Sequence, residues 1–113
     1  MVVGFLQYAI VSDLHSHYKN TKRVLKHIEK IAPNAEIIGL GDLFECRIGK
    51  KKAKSIRNAK LRDAAIIEEK FMNLLTFPSI IGNQEERIAL VTGDPRFLQY
   101  EERREIEYAT LIH

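Results

Sequence analysis

An apolar run, Tyr8-Ala9-Ile10-Val11, stops at Ser12-Asp13-Leu14-His15, which sets a carboxylate and an imidazole two positions apart at the tip of a predicted strand. In an extended segment, side chains at i and i+2 share a side. Asp13 and His15 can therefore converge on one ion while Leu14 faces the core. A hard oxygen beside a borderline nitrogen suits Mn, Fe or Zn. Two later stretches repeat the pattern: Gly41-Asp42-Leu43-Phe44-Glu45 follows Glu36-Ile37-Ile38-Gly39-Leu40, and Gly82-Asn83-Gln84-Glu85 follows Ser79-Ile80-Ile81. Three such endings line up Asp13, His15, Asp42 and Asn83 along one edge of a parallel sheet, at the carboxyl ends where open α/β folds keep their sites.

In this order the blocks resemble the calcineurin-like metallophosphoesterases, whose signature runs Asp-x-His, Gly-Asp-x-x-Asp and Gly-Asn-His-Asp/Glu, then two histidine motifs further on. The first three blocks cover roughly residues 8 to 90, whereas Gly-His-x-His does not occur and the histidines are His15, His17, His27 and His113. The resemblance implies a dinuclear site of two divalent ions, drawn from Mn, Fe, Zn and Ni, that activates water against a phosphomonoester or phosphodiester. It implies Asp13 and His15 as ligands of the first ion, Asp42 as the bridge and Asn83 as a ligand of the second. Gln84 stands where the family usually has a histidine that assists the leaving oxygen. Glutamine can hydrogen-bond an oxyanion but cannot donate a proton as a general acid, so aryl or diester phosphates are the expected substrates. Glu45 replaces the usual aspartate and is expected to orient Gln84 or a bound water, with Arg47 beside it at the substrate. Asp42 and Asn83 alone are thin coordination for a second ion. Either its other ligands come from a second copy, a separate chain or a longer native polypeptide, with terminal His113 as a remote substitute, or only one ion binds tightly.

Those residues need a scaffold, and the expected one is an α/β fold, a single domain over residues 1–113. Its parallel-sheet core is taken as the N-terminal half of a metallophosphoesterase-like α/β/β/α sandwich. Asn20 or Thr21 can cap a helix carrying Val24, Leu25, Ile28 and Ile31, which Pro33 stops. Residues 35–40 then read as a buried parallel strand. Cys46 to Asn58 reads as a loop or a frayed helix start. Leu61, Ala64, Ala65, Ile67, Phe71, Leu74 and Leu75 form one helical stripe. Pro78 opens the next strand, Gln84 to Val91 is a helix ended by Thr92-Gly93, and Asp94-Pro95 starts another with Phe97, Leu98 and Tyr100. Beyond Glu105 the alternation of Ile106, Tyr108, Thr110 and Ile112 fits a strand, although the preceding Glu-Glu-Arg-Arg suits a helix equally. Met1 to Gln7 is read as a lengthened edge, a packing arm or a start-site artefact.

Composition bounds the function. Hydrophobic residues at 45% and charged residues at 29% are those of a globular chain. The net charge of +3 is unevenly placed, with Arg47, Lys50, Lys51, Lys52, Lys54, Arg57 and Lys60 in one short run. This run reads first as a solvated face. Because it follows the Asp42 block, it can also draw phosphate or nucleic acid, but without interleaved aromatics it offers no stacking platform. The lone Cys46 excludes an intrachain disulfide and fits a reducing, cytoplasmic compartment, where it reads as a small buried hydrophobe. Met1 to Val11 is apolar but lacks a basic n-region and a small-residue cleavage site, so it is expected to be strand plus extension and not a signal, and no stretch approaches a membrane span. His17 reads as solvated loop and His27 as a helix-boundary residue. The alternative function is a truncated, non-catalytic descendant that binds one ion, or a partner through an exposed sheet edge. Association into a homo-oligomer, or with a partner chain that completes the fold, is expected on either reading.

Overall fold

Two runs rich in β-branched residues pair first. In the computed structural model, which describes residues 8–98, 100–106 and 109–112, β1 (Tyr8–Val11) runs parallel to β2 (Glu36–Gly39). Tyr8 stands opposite Glu36, and Val11 opposite Gly39. Parallel neighbours need a long crossover, and α1 (Tyr18–Ile31) supplies it. Beyond β2 the same direction continues through single bridges, Gly39 to Ser79 and Ile80 to Glu101. Pro78 has no N–H to give, but its carbonyl accepts from Gly39 N–H at 2.8 Å. Gly39 is required here by space, since a Cβ on it would lie 2.6 Å from that of Ser79. The expected α/β class with parallel strands is therefore present.

α1 begins earlier than expected. Its cap is His17, whose Nδ1 accepts from Asn20 N–H at 3.2 Å, and Thr21 is instead buried inside the helix. Ile31 is the last helical residue before Pro33, as expected. The single helix expected over Leu61 to Leu75 is divided, which is a correction. The chain forms α3 (Leu61–Ala64), then β4 (Ala65–Ile66), then α4 (Glu69–Met72). β4 pairs antiparallel with β3 (Glu45–Cys46), and the Ile66 carbonyl accepts from Ser16 Oγ at 2.6 Å. These tertiary bonds, together with the stiff β-branched pair Ile66-Ile67, outweigh the helical periodicity. The run Cys46 to Asn58, expected as loop or frayed helix, starts on the last residue of β3 and holds one turn, α2 (Lys50–Ala53).

α5 (Asn83–Thr92) ends at Gly93, left-handed at φ 67°, and α6 (Pro95–Leu98) follows. The last elements, β5 (Arg103–Ile106) and β6 (Ala109–Ile112), pair antiparallel, which decides for strand beyond Glu105. The core gathers Leu14, Leu43, Phe44, Phe71, Ile88 and Phe97, with Phe44 edge-on to Phe71 and Phe97 at 5.6 and 5.3 Å. Among the described residues no helix is long and apolar enough to cross a membrane. The readings of Met1 to Gln7, Tyr108 and His113 lie outside the described residues.

Candidate metal centre

Each strand end is pinned by a buried apolar residue next to a polar one. Leu14 is buried between Asp13 and His15, and Leu43 and Phe44 are buried just after Asp42. Their anchoring turns the polar side chains towards the sheet edge. The segment after β1 is not extended as expected: Asp13, His15 and Ser16 have φ of 57°, 47° and 58°. The cause lies in the neighbouring loop. Asp13 N–H donates to Gly41 O, His15 N–H to Asp42 O and Ser16 N–H to Leu43 O, at 3.3, 3.2 and 2.8 Å. The two loops thus form a tight pair, and Gly41 and Asp42 are left-handed too, at 92° and 54°. Left-handed backbone at non-glycine residues costs about 1–3 kcal/mol each and gathers at functional sites. Of the five such residues described, four lie in these two loops, and the fifth is Asn58.

The expected donor pair does converge. His15 Nε2 lies 3.5 Å from Asp13 Oδ1, while His15 Nδ1 lies 2.8 Å from Glu45 Oε2. With its proton on Nδ1, facing Glu45, the ring presents a bare Nε2 to Asp13. That is the carboxylate–histidine arrangement found behind metal-ligating imidazoles. Two donors about 2.1 Å from one ion and 3.5 Å from each other subtend nearly a tetrahedral angle, so Asp13 and His15 fit a single cation. Glu45 therefore braces His15, not Gln84.

The second half of the site is assembled through α5. Asp42 is buried and its Oδ1 accepts from Gln84 N–H at 2.8 Å, so this carboxylate caps the helix start. Gly82 lies flat against the Gly41–Asp42 peptide, and a Cβ there would meet Asp42 Oδ1 at 2.6 Å. Gln84 turns its amide oxygen to Cys46 N–H, 2.8 Å away, which commits that oxygen to β3. Asn83 is exposed and lines a shallow cleft together with Lys50 and Arg87. Arg47 is exposed, with its backbone N–H bonded to Ala64 O. Cys46 is buried and free, as expected. Among the described residues no three His, Cys, Asp or Glu side chains gather closely enough to hold an ion by themselves. The fit to a cation thus rests on Asp13 and His15.

One residue outside the expected ligand set ties these parts together. Glu85 is fully buried, and its carboxylate accepts from Asp42 N–H at 2.7 Å, Gly82 N–H at 3.1 Å and Phe44 N–H at 3.3 Å. Burial pushes its pKa up, against the pull of the three N–H donors. Its last position in Gly82-Asn83-Gln84-Glu85 was the available signal. Tyr100, packed on Phe97, has its phenol pushed up to about 12, by burial first and then by the charge of Glu85. Comparison with protein-family models, with curated proteins and with solved structures finds no match to this chain.

Proposed function

We propose that the chain is a metal-dependent phosphohydrolase of the metallophosphoesterase type, its parallel strands being the first part of an α/β/β/α sandwich. The reading is carried by one observation: the loops after β1 and β2 hold Asp13 and His15 as a donor pair, with Glu45 behind the imidazole. When bound, a divalent ion would supply water of lowered pKa and neutralise phosphoryl charge. Glu45 keeps the proton on His15 Nδ1, so that Nε2 remains a donor. Asp42, expected as the bridge, contributes negative charge at the same edge and is steadied by Gln84 N–H. With the Gln84 oxygen committed to Cys46, only its NH2 group can face an oxyanion, and no proton reaches the leaving oxygen from this residue. Aryl and diester phosphates follow as substrates.

The test is hydrolysis of p-nitrophenyl phosphate and bis-p-nitrophenyl phosphate with added Mn. Turnover is expected, with the diester preferred, and with loss of at least tenfold in His15→Ala and Asp42→Asn variants that remain folded by circular dichroism. Absence of turnover with Mn, Fe, Zn and Ni alike defeats the proposal.

A second reading, a non-catalytic binding module, is favoured by the exposed Ile10 on β1, whose outer edge pairs with no described residue. Such an edge accepts a further strand. Concentration-dependent association in sedimentation velocity, reversed by Ile10→Lys, is its expected mark.

A further inference from the structure

The strongest unassigned feature is a face of charge. Between Arg47 and Arg62 stand eight cationic residues and no acidic one; the chain has eighteen basic residues, so ten remain elsewhere against all fifteen acidic ones. All eight are exposed, and among the described residues none is in an ion pair. The segment is nonetheless folded onto the body. Arg87 donates to Ile48 O at 3.3 Å, Ala59 N–H to Val91 O at 2.8 Å, and Ala53 is buried. Lys50 and Lys54 meet Arg87 and Asn83 of α5 around a cleft of about 380 Å³, in which Glu86 is the one carboxylate.

We propose that this face binds the phosphate backbone of a duplex nucleic acid, without reading its sequence. Three observations select that partner. The cations are spread along the segment instead of converging on one point, which suits a line of phosphates better than a single small anion. No aromatic residue lies between Arg47 and Arg62, so unpaired bases find nothing to stack on, and the backbone is what remains to be held. The exposed positions of the segment are lysines, arginines, Ser55, Asn58 and Gly49, while Ile48 and Ile56 are half-buried, so the segment itself offers no apolar anchor, and exposed Leu90 at the cleft is a single side chain where a lipid surface takes an apolar face. The face stands on charge and exposure, independently of the metal pair.

Fluorescence anisotropy with a labelled 20-base-pair DNA duplex, the matching single strand and phosphatidylserine vesicles tests this on the full chain. Duplex binding is expected at low salt, tighter than to the strand or the vesicles, and falling steeply as salt rises. The Lys50→Ala/Lys51→Ala/Lys52→Ala variant is expected to bind at least tenfold more weakly and to flatten the log–log salt slope by about 2.7, because three phosphates keep their counterions. Lys19→Ala/Lys22→Ala/Lys26→Ala on α1 removes equal charge and is expected to leave binding within twofold. No duplex binding, tighter binding of strand or vesicles, or equal weakening in the two variants overturns the proposal. Thermal melting of both variants keeps a folding defect from passing as a binding one. These outcomes do not depend on turnover, so this proposal and the hydrolytic one fail separately.

Discussion

A single carboxylate makes more of the bonds that hold these loops together than any polar side chain beside it. Glu85 satisfies backbone N–H groups on both the Asp42 loop and the Gly82 turn, so Glu85→Gln sets an NH2 group against a backbone donor. A loss of about 1–3 kcal/mol in urea unfolding is expected, the cost of a buried donor left unmet. Tyr100 answers to pH. Its folded pKa of about 12 lies above the ordinary phenol value of 10.0, so its contribution is intact below pH 10 and is lost as pH rises towards 12. Ultraviolet titration is expected to show one tyrosine ionising near 12, and Tyr100→Phe to remove that step. At this scale the sequence is partly legible. The approach of Asp13 to His15, 3.5 Å apart, could be read from their spacing at the end of an apolar run, though such a pair alone more often caps a helix or meets solvent. Glu85 is marked only by its place at the end of the Gly82 block, and that place does not say that it is buried or that its bonds reach the amides of Asp42 and Phe44.

Elements place these residues through close backbone approach, and glycine is what permits it. Gly82→Ala would force a methyl against the Asp42 carboxylate and the Gly41 carbonyl carbon, and a cost of about 1–3 kcal/mol is expected. Gly49→Ala meets nothing within 4 Å and is expected to be neutral in the same denaturation series. Strand ends and the stop of α1 at Pro33 are legible because proline and glycine act locally. The division of the Leu61 to Leu75 stripe is not, because β4 exists only by pairing with β3, about twenty residues earlier. Periodicity describes one face of a segment and is silent about a partner strand that competes for its backbone. The same holds for α1, whose start passed from Asn20 or Thr21 to a histidine nitrogen.

The whole molecule is long for its size. Its radius of gyration is 15.5 Å, against about 13 Å for a compact domain of this length, and Ile10, Val24, Ile31 and Leu90 are large apolar side chains left exposed. Three of the four lie on β1 and α1. Replacing Val24 and Ile31 with lysine is therefore expected to cost under about 0.5 kcal/mol of stability, as surface substitutions do, while lowering any self-association seen by light scattering. The parallel strip and its shared edge could be anticipated from chain order; the exposed flank could not, because hydrophobic pattern alone does not say which stripe finds a cover. One consequence concerns synthesis on the ribosome. The bonds that Glu85 accepts span 41 and 43 positions, so in a nascent chain that has not yet delivered α5 the amides of Asp42 and Phe44 have only water to accept from them. The Asp13 and His15 loop leans on that same segment, and it is expected to gain its shape late, in one step with the arrival of the helix.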